Sequence, residues 1–425
     1  MIKYALKGGE REVVVEPAAS DDLITPIPRI SIQAFCETAD TASMVQSASE
    51  DRRMAKAHLK VQMGGIVAAA EAYRSAPTPN VIIIESESRG EDLLGGLDQL
   101  AEVCDPATRV IAIGRINDIV LYRELVRRGV SDYLIAPVAV LDVVRAVWGL
   151  FNAADAKRVG RTIAVVGAKG GVGSSTVAHN IAWAAARDLG LDSVVADLDL
   201  PFGTAGLDYN QDPPQGIADA VSSPERVDTA FVDRLLSKCT DHLSLLAAPA
   251  TLERVYDFGA DAFDAVFDVL RATVPCIVLD VPHLWSGWTR RTLVGADSIL
   301  IVAAPDLANL RNAKNLIDLV RGARPNDERP HYCLNYVGVP KRPEIKPADF
   351  AKALEAEPTA VIAFEPQLFG TAANNGQMIA EVAAGHKTAE TFRQLAQVLA
   401  GRAQIKRPRG NLLTPLLDKL TRRQA

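Results

Sequence analysis

A chain of 425 residues is long enough for two domains with separate cores, and 48% hydrophobic with 23% charged residues is ordinary for a globular protein. A formal net charge of −6 gives no global pull toward nucleic acid, no apolar run approaches the roughly 20 residues that cross a bilayer, and the N-terminus lacks an apolar stretch of signal-peptide length. Five scattered cysteines (Cys36, Cys104, Cys239, Cys276, Cys333) make no CxxC pair and no metal spacing, and read as buried apolar residues of a reducing cytosol.

Residues 1–28 mix charge, Pro and Asp and read as a flexible arm. Over 29–152, short β-branched runs alternate with helical stretches. Strands are expected at 30–35, 81–84, 110–113 and 132–135, and helices at 65–73 and 122–128. Strand-then-helix repetition implies an α/β fold, a parallel sheet covered on both faces. Residues 153–161, with Lys157, Arg158 and Gly160, read as a linker. A second α/β unit is expected over 162–401, with strands at 163–166, 193–196, 243–247, 276–279, 298–303 and 332–336. The end, 402–425, differs in character. From Gly401 onward seven Arg/Lys stand against one Asp, a net +6. Leu412, Leu413, Leu416, Leu417 and Leu420 fall on one helical stripe, although Pro415 is tolerable only in a first turn. Such a basic amphipathic end fits an anionic membrane, the protein's own surface or a membrane-protein partner.

The sharpest signal is a strand running into Gly167, Ala168, Lys169, Gly170, Gly171, Val172, Gly173, Ser174, Ser175 and Thr176, followed by a helix. Glycines let backbone N–H groups turn inward on an anion, and the helix N-terminus adds its positive dipole end. The usual phosphate loop, GxxxxGK[ST], carries a lysine after its last glycine to reach the outer phosphates. Ser174 holds that place here, and the lysine stands early, at Lys169. That exchange argues against fast hydrolysis. Downstream, Asp197 and Asp199 close a strand on one side of it. They fit either water positioning near a terminal phosphate or the capping of a loop. Asp280 closes another apolar run, the pattern of a carboxylate that holds Mg²⁺. Trp285 and Trp288 follow with Arg290 and Arg291, and each tryptophan fits a partner surface or core filling.

The KGGVG run resembles the deviant Walker A loop of the MinD/ParA ATPases. The resemblance implies a doubly wound P-loop domain that binds ATP and Mg²⁺, forming a nucleotide-sandwiched homodimer in which Lys169 reaches the partner's phosphates. It puts Lys169, Gly170, Gly171, Val172, Gly173, Ser174, Ser175 and Thr176 around the nucleotide. Ser175, Asp280 and Asp197 fall at the Mg²⁺, Asp199 on the attacking water, and Asn335 on adenine, where an amide offers both donor and acceptor. Residues 304–313 match a segment of the dimer face and 369–376 a loop near the base. Ser174 departs from the family's second lysine, and Leu284 from a glycine.

Residues 129–140, with Pro137, resemble the last strand and turn of a response-regulator receiver, a flavodoxin-type fold. Glu85, Ala136 and Gly114 stand where a receiver needs Asp, Lys and Thr or Ser, and only Glu37 remains of its acidic pair. The expectation is a pseudo-receiver used for docking or dimer contacts. The fusion, with the phrases at 52–65, 167–183 and 197–209, is similar to the CpaE/TadZ family of Flp (Tad) pilus assembly. That resemblance, over about residues 29–400, implies a cytoplasmic localisation factor recruited to the cell pole or inner membrane. It would dimerise with ATP, hydrolyse it weakly at most, and help place pilus assembly and secretion proteins. The alternative is a ParA-type partition ATPase acting on DNA, which needs a basic face that the acidic balance does not advertise. A P-loop enzyme of metabolism or regulation conflicts with Ser174.

Overall fold

The computed structural model describes residues 14–17, 24–88, 91–151 and 159–406. The β-branched run near the N-terminus is a strand, β1 (Val14–Pro17), within the stretch expected to be an arm. Residues 24–28 also leave that arm. Ile27 is buried and its N–H donates to the Arg53 carbonyl at 2.8 Å, while Thr25 accepts from the Trp148 indole at 2.9 Å. The first α/β body therefore begins several residues before position 29.

That body has a five-stranded parallel sheet of β2 (Ser31–Cys36), β3 (His58–Met63), β4 (Val81–Glu85), β5 (Arg109–Gly114) and β6 (Asp132–Ile135), in the order β3-β2-β4-β5-β6. All five residues of β4 are buried, because helices cover both faces. The helices Ala39–Ser49 and Val140–Phe151 pack on one face. Gly65–Tyr73, Glu91–Ala101 and Ile119–Arg127 pack on the other. Strand β3 was not expected. It lies at the sheet edge, its side chains are largely exposed, and its Lys and Gln dilute the apolar signal.

The second body has eight strands. They are β7 (Arg161–Gly167), β8 (Ser193–Asp197), β9 (Ser237–Lys238), β10 (Leu243–Leu246), β11 (Cys276–Val281), β12 (Ser298–Ala303), β13 (His331–Val337) and β14 (Ala360–Ala363). Their order is β14-β13-β12-β7-β11-β8-β10-β9, and all pairs are parallel except β9 with β10. Arg161, expected in the linker, is the first residue of β7, and residues 153–158 of that linker lie outside the described residues. The central strand β7 lies between β11 and β12, so the loops after these three strands share one edge. That edge is where doubly wound sheets bind ligands. After Gly401, β15 (Ala403–Lys406) pairs antiparallel with β1. The leucine stripe of the basic end lies outside the described residues.

The two bodies meet far from the β7 loop, at the starts of β7 and β12. Arg52 donates to Asp297 at 3.1 Å and to Asp327 at 2.6 Å, and Arg53 also pairs with Asp327. Arg271 reaches Asp297 at 2.8 Å, and Arg324 reaches Asp327 at 2.5 Å. These groups are all nearly buried. Burial alone would push both carboxyls up, but the surrounding guanidinium groups hold them below the ordinary range.

Candidate functional site

Strand β7 delivers the glycine loop to the ligand-binding edge of the second sheet. Gly171 and Gly173 take φ angles of 79° and 80°, which L side chains avoid. A Cβ at Gly173 would lie 2.7 Å from the Asn335 amide nitrogen, so only glycine fits there. The helix Ser174–Arg187 starts directly after it, and its N-cap glycine supplies no side-chain cap. Its first N–H groups are thus left for an anion. The loop is braced from outside: Ala168 N–H donates to Val302 O at 2.8 Å, Asn312 to Ala168 O at 2.8 Å, and the His283 ring meets Gly167 O at 3.0 Å. Lys169 is exposed, with no carboxylate in ion-pair range among the described residues. Ser174 occupies the first helical position, where a lysine is usual.

Beneath the loop, β8 and β11 place Asp197 and Asp280 opposite each other in register. Both are buried. Asp197 accepts from the N–H groups of Asp199 and Ala205, each at 3.1 Å. Burial and the facing Asp280 charge push its carboxyl up to about 7. Asp199 is half-buried, accepts from Phe202 N–H at 3.2 Å, and is shifted upward by burial. The strand end therefore separates the pair: Asp197 turns inward and Asp199 stays at the rim.

Sequence reasoning missed His179. It sits one turn beyond Ser175 on the same helix and is wholly buried. Its Nδ1 lies 2.6 Å from Asp208, at the end of the helix Ala205–Asp208, and its Nε2 lies 3.3 Å from Asp280. Burial lowers its proton affinity, but Asp208 and Asp280 outweigh burial and carry it up to about 10. The available signal was positional, a histidine on the buried face of the helix that follows a phosphate loop.

A cavity of about 260 Å³ opens beside the first turn of this helix, lined in part by Thr176, Asn335, Tyr336, Phe369 and Gly370. The Asn335 amide donates to Val172 O at 2.9 Å and accepts from Tyr336 N–H at 2.9 Å. It braces the loop, with a second amide hydrogen left for a ligand. Residues 369–376, expected as a loop, instead run through the helix Pro366–Asn375 and its cap Gly376. The helix Leu307–Ala323 follows β12 with Asp306 as its cap. The two tryptophans part company. Trp288 is buried 4.8 Å from the Phe263 ring, whereas Trp285 is 55% exposed.

No protein-family model matches the chain. A pilus assembly protein CpaE from Caulobacter crescentus, of known structure, is 48% identical, over 30% of this chain and 98% of its own, with a TM-score of 0.29. The match falls in the N-terminal region. The septum site-determining protein MinD of Pyrococcus horikoshii, complexed with Mg-ADP, is 19% identical, over 56% of this chain and 96% of its own, with a TM-score of 0.50. That likeness shows a shared fold. MinD of Synechocystis is 29% identical over 161 residues, 38% of this chain. The matched stretch spans 59% of that relative's length.

Proposed function

Because the chain belongs to the family of CpaE pilus assembly proteins, we propose that it is an ATP-binding localisation factor for pilus assembly and secretion machinery. In this reading it dimerises around ATP and hydrolyses it slowly or not at all. The observation that carries the proposal is Lys169, exposed at the rim of a formed phosphate loop with no carboxylate to hold it among the described residues. The same sheet edge carries exposed apolar side chains after β8, β11 and β12, namely Phe202, Leu284 and Trp285 in loops and Leu307 at a helix start. A ring of exposed apolar residues around a charged loop fits closure on a second copy.

The residues fit the nucleotide. The uncapped helix N-terminus and the glycine turns suit phosphates, and the cavity beside Asn335 suits a base. Ser175, Asp280 and Asp197 would hold Mg²⁺, which neutralises phosphate charge when bound. Asp199, half-buried at the rim, would orient a water rather than hold the ion. With Ser174 in the lysine's place, one charge-assisted contact to the outer phosphates is missing, so binding survives better than turnover. No helix among the described residues is long and apolar enough to cross a membrane, so recruitment to the inner membrane or pole falls to partners or to the basic end.

The test is ATP affinity together with steady-state turnover of the full chain with Mg²⁺. Binding with turnover well under about 1 s⁻¹ supports the reading. Failure to bind ATP, or turnover in the range of active phosphotransferases, contradicts it.

A further inference from the structure

The phosphate loop does not account for His179. Three donors converge on one point beneath it: His179 Nε2 and one oxygen each from Asp197 and Asp280, all within 4.8 Å of one another and all buried. The Nε2 atom is wholly buried and makes no well-formed hydrogen bond; it faces Asp280 at 3.3 Å. The opposite ring nitrogen is held by Asp208 at 2.6 Å. With the Nδ1 proton held by that carboxylate, the ring presents its Nε2 lone pair once the Nε2 proton leaves, an arrangement common behind metal-ligating histidines. A buried nitrogen with no well-formed hydrogen bond and two facing buried carboxylates are each unfavourable alone. One cation between them resolves both.

We propose that His179, Asp197 and Asp280 form a site for a divalent ion of the Mn²⁺ to Zn²⁺ series, filled without nucleotide. Donors about 2.0–2.2 Å from such an ion lie roughly 3–4 Å apart, so small side-chain adjustments close the shell. Imidazole beside two carboxylates favours Zn²⁺ and Mn²⁺ over Mg²⁺, which prefers oxygen and retains its waters. The ion replaces the proton on Nε2, which is released on binding. It would tie β8, β11 and the helix Ser174–Arg187 together under the phosphate loop. The site shares Asp197 and Asp280 with the Mg²⁺ of the nucleotide reading and adds His179, and its ligands are all protein atoms, so it can fill before any nucleotide arrives.

The experiment is electron paramagnetic resonance of Mn²⁺ titrated with the metal-stripped full chain, with no nucleotide present. The free-ion sextet is expected to fade as one equivalent binds, to return on adding Zn²⁺, and to stay lost under excess Mg²⁺. The melting temperature should rise with the ion. His179→Gln should abolish binding. Asp208→Asn, which keeps the ring but weakens its hold, should lower affinity by about 10- to 100-fold. An undiminished sextet with wild type makes a proton the permanent occupant of Nε2 and overturns the proposal. Equal affinity in either variant overturns it as well. Since no ATP is used, failure here leaves the nucleotide reading standing.

Discussion

Asp327 offers a direct test of whether the two α/β bodies act as one. Its carboxylate accepts from Arg52 Nε at 2.6 Å and Arg324 Nε at 2.5 Å, and it also pairs with Arg53. Only 5% of its side chain is exposed, so solvent cannot replace these bonds. Breaking a buried pair by removing one partner costs about 3–5 kcal/mol, because the other charge is left stranded. Arg52 keeps Asp297 and Arg53 keeps Asp51, so Asp327→Ala should fall near the low end, about 3 kcal/mol. At about 1.4 kcal/mol per factor of ten, docking of the first body weakens about a hundredfold. Amide hydrogen exchange reads this locally. Protection over residues 51–57, where Met54 and Ala57 N–H groups are bonded within the turn, should drop by that factor. Strand β7 should stay protected. Protection at 51–57 within about twofold of wild type would refute the clamp, since the arithmetic leaves no room for so small an effect.

Three further outcomes follow from other residues. Glu85 accepts from the N–H groups of Glu37 and Thr38 and from the hydroxyls of Thr38 and Thr41, all at 2.7–2.8 Å. Acetyl phosphate should therefore leave no label on the first body, and Glu85→Ala should lower its unfolding free energy by about 1–3 kcal/mol through stranded donors; a trapped phosphoryl group near Glu85 or Ser86 contradicts this. Asp197 holds its proton in the folded chain up to about 7, against an ordinary 3.8. A raised acid binds more protons folded than unfolded, so stability of the ion-free protein should fall as pH climbs through that interval, and Asp280→Asn should flatten the slope in denaturant melts; an unchanged slope contradicts the Asp197–Asp280 repulsion. For the basic end, liposome flotation on anionic lipid should rise with ATP and fall with salt, and a chain ending at Gly401 should not float. Equal flotation of the two chains, or none with ATP, makes a protein partner the better dock for the leucine stripe.

The glycine turn before a helix, the buried strand that carries Asp280 and the central strands were legible because each follows a local rule. Buried parallel strands read as unbroken β-branched runs, and a glycine turn before a helix has few other uses. What escaped depends on tertiary pairing. Strand β3 is a polar edge, and β1 and β15 exist only through each other, across almost the whole chain. The helix Pro366–Asn375 reads as a loop because Gly370 and two asparagines dilute its propensity, yet its Gly376 cap packs against the Leu207 carbonyl. His179 looked like one polar residue in an alanine-rich helix. Its weight comes from Asp208, Asp197 and Asp280, which reach it from other elements. The tryptophans were left open between core and surface, and burial assigns one to each.

The central claim is that Lys169 completes the nucleotide site of a second copy. Sedimentation of the full chain with and without ATP and Mg²⁺, beside Lys169→Ala, tests it most directly. The lysine is exposed and its removal opens no core, so the variant should fold and still bind ATP. Wild type should pass from monomer to dimer on adding ATP, and Lys169→Ala should remain monomeric under the same conditions. Equal dimerisation of both proteins, or a wild type indifferent to ATP, would contradict the account.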